Sequence, residues 1–231
     1  MINKSHEIEY KKLYNKLKSH PINKWITDKG WQWFPHQIQI LKSIEKNNSI
    51  LVQSPTGTGK TLTGFLPSLL KFNYQRKKPT LDTLYVSPLK ALTIDIHRNI
   101  SKPIKELNLS INLETRTGDT SQNVKSRQIK NPPDFLMTTP ESLALLLSNP
   151  LASTFFKDLE FVIIDEIHTF LNNKRGDLLS LNLARLFQIA RGAKRIGLSA
   201  TIKSPSFAMN WLSPNKTHLI QIKNVVSPNI E

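Results

Sequence analysis

The sequence predicts an α/β fold with a mostly parallel central sheet, helices on both faces of it, and a short helical extension at the start. Three observations carry this reading. Short apolar runs recur at 50–53 (ILVQ), 82–87 (DTLYVS), 134–138 (DFLMT), 160–165 (EFVIID) and 195–199 (RIGLS). Helix-like stretches separate them, at 60–71, 89–107, 141–148 and 178–190. A glycine-bearing turn, SPTGTGKT at 54–61, joins the first run to the first of these helices. Strands that alternate with helices are connected by crossovers, and crossovers make neighbouring strands parallel. Compact apolar strands without a polar face are those covered on both sides.

Taken in order, residues 5–19 set Ile8, Leu13 and Leu17 among lysines, with Tyr10 and Tyr14 between them. Spacings near three and four predict a short amphipathic helix there, stopped by Pro21. A second helix is predicted over 36–46, just after Pro35. The strands and helices above follow, and SINLETR at 110–116 alternates as one more strand. No low-complexity linker or fixed-period repeat interrupts the pattern. The expected organisation is a helical extension over 1–34, one α/β domain over 35–220, and the beginning of a linker over 221–231.

Composition narrows the class. Hydrophobic residues make up 39% of the 231, enough for a packed core. No run reaches the roughly 18 apolar residues that cross a bilayer, and the polar start MINKSHEIEY has no signal-peptide core. The expectation is a cytoplasmic protein with no membrane partner. With no cysteine, disulfides and Cys-based metal sites within the chain are excluded. The net charge of +15 suits a polyanionic partner such as nucleic acid, although a Lys- and Asn-rich compositional bias would give the same number.

The segment at 54–61 has the context a phosphate-binding loop requires: an apolar strand before it and a helix after it. Gly57 and Gly59 let the backbone bend so that amide N–H groups of the loop, with Thr56 and Thr58 among its binding positions, face phosphates, and the helix N-terminus adds a favourable dipole. Lys60 then reaches the β- and γ-phosphates as a point charge, and the Thr61 hydroxyl is placed to ligate Mg²⁺. Ser54 stands where the general pattern has glycine.

About a hundred residues later, VIIDEIH at 162–168 ends an apolar strand in two carboxylates. The C-terminal edge of a parallel sheet is where such folds bind ligands. Asp165 is the expected Mg²⁺ ligand, and Glu166 the base that orients and deprotonates an attacking water. His168 follows the carboxylates and is placed to bond the next strand tip. That tip is GLSAT at 197–201, whose Ser199 and Thr201 hydroxyls suit bridging between strand ends. Three further segments lie at strand C-termini: Pro88, Leu89 and Lys90 in SPLKAL, Thr117 and Gly118 in TRTGDT, and Thr139, Pro140, Glu141 and Ser142 in TTPESL. Each offers hydroxyls, backbone N–H groups or a cation for nucleic-acid phosphates, and each is equally read as capping or turn chemistry.

The ordered set SPTGTGKT, SPLKAL, TRTGDT, TTPESL, DEIH and GLSAT resembles the first RecA-like lobe of a superfamily 2 helicase, from about Gln37 to Thr201. Within that superfamily the chain is similar to the Lhr-type DEXH helicases, through PLKAL, RTGDT, TTPESL, KRG at 174–176 and RIGLSATI. GWQWFPHQ at 30–37 and NNKRG are similar to the bacterial subgroup associated with DNA ligases, whose box continues with Trp where this chain has Ile167. The resemblance implies a RecA-like fold, ATP and Mg²⁺ as cofactors, single-stranded DNA as partner, and 3′-to-5′ DNA unwinding. Phe34, Pro35 and Gln37 resemble the adenine-reading Q element, with the Gln37 amide bonding adenine through donor and acceptor. The aromatic expected upstream is replaced by His20, leaving Trp25, Trp31 or Trp33 as substitutes. The family also needs a second RecA-like lobe carrying arginine fingers, worth roughly 10³–10⁵ in rate. Nothing after Thr201 resembles it, so the chain is expected to be part of a longer motor and to hydrolyse ATP slowly alone. An RNA helicase lobe, a different P-loop ATPase and a nucleic-acid-binding module without unwinding activity remain the alternatives.

Overall fold

The structure is a computed structural model that describes residues 17, 18, 20–55, 57–72, 79–200, 202 and 204–222. The helix expected over 5–19 and the segment from 223 onward therefore lie almost wholly outside the described residues. Leu17, at the end of that helix, is buried.

The described chain runs α1 (Pro21–Asp28), α2 (Pro35–Lys46), β1 (Ser49–Gln53), α3 (Lys60–Lys71), β2 (Thr83–Val86), α4 (Lys90–Glu106), β3 (Leu113–Arg116), α5 (Gln122–Lys130), β4 (Phe135–Thr138), α6 (Pro140–Leu147), α7 (Ala152–Phe156), β5 (Phe161–Ile164), a 3₁₀ turn (Ile167–Phe170), α8 (Lys174–Ile189), β6 (Lys194–Ser199), α9 (Pro205–Leu212) and β7 (His218–Gln221). Seven strands form one sheet in the order β3-β4-β2-β5-β6-β1-β7, and every neighbouring pair is parallel.

Alternation along the strands divides the core in two. Ile50, Val52, Tyr85, Phe135, Ile163 and Leu198 face α1–α4. Leu51, Leu84, Val86, Leu136, Val162 and Ile164 face α6–α9. The result is three layers with a sheet buried on both sides. Because all strands are parallel, their C-terminal ends, with the loops that leave them, gather at one edge.

Local chemistry sets the element ends. Pro21, expected to stop a helix, opens α1 instead, because a proline at the first helical position forgoes only an N–H that would be unpaired there. His20 accepts from Ile22 N at 3.2 Å as its cap. Asn173 caps α8 through Gly176 N at 3.0 Å. The strand expected over 110–116 is shorter, forming only over Leu113–Arg116. Helix α5 carries little apolar signal, since only Gln128 of it is buried. The α1 residues Ile22, Trp25 and Ile26 share a core with α2–α4, and Trp25 Nε1 donates to Glu106 at the end of α4. No helix among the described residues is long and apolar enough to cross a membrane.

The edge strand β3 is fastened to α5 by charge. Arg127 donates twice to Glu114, at 2.9 and 2.6 Å, and Gln128 Nε2 donates once, at 2.9 Å. The Arg127 bonds, helped by Gln128, hold the Glu114 carboxyl down at about 2 against an ordinary value of 4.5. A carboxyl held below its unfolded value stabilises the fold above that value and loses the effect as pH falls through the folded one. Glu114→Gln should therefore lower the melting temperature by about 3 °C at neutral pH, allowing for partial exposure of the pair. Thermal melts of both proteins should converge as pH falls from 4.5 toward about 2. A gap that stays constant across this range would refute the assignment.

Candidate functional site

The loop between β1 and α3 turns at two glycines. Gly57 and Gly59 hold φ of 79° and 69°, the left-handed region that a side chain disfavours. Thr58 ties the loop internally, its hydroxyl donating to the Pro55 carbonyl at 2.8 Å and to Ser54 Oγ at 3.0 Å. Ser54 therefore earns its place where glycine is usual: it is fully buried, receives the Thr58 hydroxyl, and its N–H donates to the Ser199 carbonyl at 3.2 Å. Thr56 lies outside the described residues.

His36 braces the same loop from α2. Its Nε2 lies 3.0 Å from the Thr58 carbonyl. A carbonyl only accepts, so Nε2 carries the proton. Burial pushes the His36 pKa down, opposed by that hydrogen bond, and favours the neutral ring; Nδ1 is left buried without a partner. Gln37 lies against the loop as well, since a Cβ on Gly59 would stand 3.1 Å from its Nε2. Its Oε1 is engaged by the Phe34 N–H at 3.0 Å. The carboxamide oxygen expected to read adenine thus caps α2, and the Nε2 side faces the loop.

At the start of α3, Lys60 is 8% exposed and its Nζ has no hydrogen-bond partner. The nearest opposite charge is Glu166 Oε1, 3.6 Å away. Glu166 reaches it because the chain leaves β5 abruptly: φ is 45° and ψ 46°, a left-handed conformation that costs a non-glycine residue about 1 kcal/mol. Its neighbour Asp165 is held at both oxygens, Oδ1 accepting from Glu166 N at 2.9 Å and Oδ2 from the Tyr85 hydroxyl. Burial raises the Asp165 pKa and the Tyr85 bond opposes this. Tyr85 is itself pushed well above the usual phenol range by burial and by the Asp165 charge, so it remains a donor; its oxygen also bonds the Thr61 hydroxyl. His168 Nδ1 lies 3.3 Å from both Glu166 Oε2 and Ser199 Oγ. Thr201 lies outside the described residues.

The other strand-tip loops share this edge. Lys90, half exposed at the start of α4, pairs with Asp119 at 2.8 Å, and Gly118 lies against it. Thr117 N donates to Thr120 Oγ1 at 2.9 Å. Thr139 and Ser142 are buried, and Thr139 Oγ1 caps α6 by accepting from Ser142 N at 3.5 Å. Their side chains are thus committed to capping, while Leu89, Lys90, Gly118 and Glu141 face outward. Arg175 donates to Glu141 Oε1 at 2.7 Å and to the Pro88 carbonyl at 2.8 Å.

A pocket of about 620 Å³ opens beside the phosphate-type loop, lined by Trp31, Trp33, Phe34, Gln37, Gly59 and Leu62 among others. Of the three tryptophans named for adenine stacking, Trp25 is buried and Trp33 donates to Asn23 Oδ1 at 2.8 Å, whereas Trp31 is 54% exposed. Tyr85 and His36 escaped the sequence reading. An aromatic inside an apolar strand reads as core, and nothing in the order of residues shows which ring nitrogen meets which carbonyl.

The DEAD/DEAH box helicase family's sequence profile matches residues 34–208. The ATP-dependent helicase Lhr-Core of Methanocaldococcus jannaschii is 43% identical over 196 residues, covering 79% of this chain and 23% of that protein. The Lhr-Core protein 2 of Thermococcus barophilus is 40% identical over 196 residues, with the same 79% and 23%. The structure of Mycobacterium smegmatis helicase Lhr bound to ssDNA and AMP-PNP superposes with a TM-score of 0.81 at 37% identity, covering 89% of this chain and 28% of that one. This chain thus spans about a quarter of the length of these relatives. With a profile match across most of the described fold, the chain belongs to the DEAD/DEAH box helicases as a RecA-like lobe similar to that of Lhr.

Proposed function

We propose that this chain is the ATP-binding motor lobe of an ATP-dependent helicase that tracks single-stranded DNA in the 3′-to-5′ direction. The observation that carries the reading is the Lys60 ammonium, buried without a hydrogen-bond partner. A buried charge left in this state is costly unless a partner arrives, and phosphate oxygens are the natural one. Backbone N–H groups of the glycine loop and the α3 N-terminus add to the attraction. Glu166, 3.6 Å from Lys60, orients a water toward the γ-phosphate and takes its proton. His168 Nδ1 lies 3.3 Å from both that carboxylate and Ser199 Oγ at the β6 tip.

Mg²⁺ fits the same place. The Thr61 hydroxyl donates to the Tyr85 phenol oxygen and that phenol donates to Asp165 Oδ2, so two hard oxygen ligands flank one side chain. Among the described residues no three His, Cys, Asp or Glu side chains form a metal cage, so the remaining ligands would be phosphate oxygens and water. The ion would neutralise charge on the phosphates. Trp31, which lines the pocket and is 54% exposed, would stack on adenine, with Gln37 lining the same pocket.

The single-stranded DNA and AMP-PNP of the Lhr structure support DNA and ATP as ligands. Lys90, Thr117, Gly118 and the α6 N-terminus would meet the sugar–phosphate backbone. The remaining lobe, supplying arginine fingers, would belong to the same full-length protein. The division into 1–34, 35–220 and 221–231, and a cytoplasmic location, belong to this reading too.

Three measurements check it. Lys60→Ala should weaken binding of an ATP analogue at least about 100-fold in calorimetry, with the circular dichroism spectrum unchanged. Unaltered binding would mean that the loop does not grip phosphate. Tyr85→Phe removes the hydroxyl that bonds both proposed Mg²⁺ ligands and should lower Mg²⁺-dependent nucleotide affinity by about tenfold, leaving Mg²⁺-free binding unchanged. An equal loss in both conditions would place Tyr85 in general folding only. Affinity for oligo(dT) should fall with salt at a log–log slope of about −0.7 per phosphate contacted. A flat response would assign the +15 charge to compositional bias.

A further inference from the structure

Arg175 stands where the DEIH turn, two strand-tip loops and helix α8 meet, and the mechanism above does not use it. Its Nε donates to Glu141 Oε1 at 2.7 Å and its Nη2 to the Pro88 carbonyl at 2.8 Å. One planar guanidinium thereby ties the loop after β2 to the first turn of α6, two segments far apart in sequence. It also neutralises Glu141, the one carboxylate in the first turn of that helix, which would otherwise repel a phosphate approaching the helix N-terminus.

Behind Arg175 an unbroken series of hydrogen bonds leads to the acidic strand end. The Glu166 carbonyl accepts from both the N–H and the hydroxyl of Thr169, each at 2.8 Å. The Thr169 carbonyl accepts from Asn173 Nδ2 at 2.8 Å, and Asn173 Oδ1 accepts from Gly176 N at 3.0 Å. Gly176 closes the series by contact. A Cβ there would stand 1.6 Å from the Phe170 carbonyl oxygen, so the 3₁₀ turn and the start of α8 are in direct backbone contact and cannot slide past each other.

We propose that Arg175 is a positioning residue that holds the 88–90 and 139–142 loops in one register and makes that register follow the DEIH turn. This rests on the assignment of those loops to nucleic acid. Arg175 and Glu141 are 44% and 51% exposed, so the pair adds little to stability, and its effect is on geometry. A lysine would restore the charge but cannot donate in two fixed directions.

The test uses the 231-residue chain and its Arg175→Ala and Arg175→Lys variants. Three quantities are read: affinity for oligo(dT), affinity for AMP-PNP, and amide hydrogen exchange over 88–92 and 139–143 with and without AMP-PNP. In the wild type, AMP-PNP should slow exchange in both segments. In Arg175→Ala, oligo(dT) affinity should fall about fivefold, AMP-PNP affinity should stay within about twofold, and both segments should exchange faster without responding to nucleotide. Arg175→Lys should regain part of the oligo(dT) affinity but not the nucleotide response. Wild-type exchange and response in Arg175→Ala would overturn the proposal, as would a wild type whose loops ignore AMP-PNP. If the wild type failed to bind oligo(dT), the nucleic-acid reading would fall, while the exchange data would still judge the brace.

Discussion

Lys60 is the point around which this structure is arranged. An ammonium that is 8% exposed, with no hydrogen bond from the protein, is tolerable only beside an opposite charge and where anionic ligands come to complete it. The arrangement around it keeps that state available. Glu166 is bent into a left-handed conformation to lie 3.6 Å away, close enough to offset the charge and too far to satisfy it. Ser54 and Thr58 lock the loop from inside, and His36 locks it from α2. The parallel sheet supplies the remaining condition by delivering β1, β5 and β6 to one edge with their C-termini together.

Around this centre, polar side chains are spent on each other as much as on ligands. Asp165 is held at both oxygens before any ion is considered. Thr139 and Ser142 serve the cap of α6. Such commitments make a site rigid, and a rigid site favours a transition state over a range of ground-state poses. They also divide labour: buried hydroxyls shape the loops, while Lys90, Gly118 and Asp119 stand exposed at the same edge.

Much of this was legible in the sequence. The strand runs at 50–53 and 160–165 correspond to β1 and β5, because residues buried on both faces leave a continuous apolar trace. The glycine pattern at 57 and 59 marked the positions of positive φ. What escaped has physical reasons. Helix α5 buries only one residue and so carries no apolar stripe, and β7 is an edge strand of mixed polarity. Pro21 was read as a stop where its ring opens the next helix, since proline punctuates both ways. Tyr85 looked like filler because its hydroxyl finds its partners, Thr61 and Asp165, only after folding. Gln37 was assigned two free faces, and local capping took one of them.

Gly176 has a mechanical meaning beyond its own packing. With its Cα pressed against the Phe170 carbonyl, the 16-residue helix α8 is welded at its first turn to the turn that follows Glu166. Such a helix is about 24 Å long, so a tilt of about 5° at the welded end would swing the far end by about 2 Å. A small reorientation of the turn after Glu166 would thereby be enlarged by leverage across the face of the domain, with the absence of one methyl group as the fulcrum.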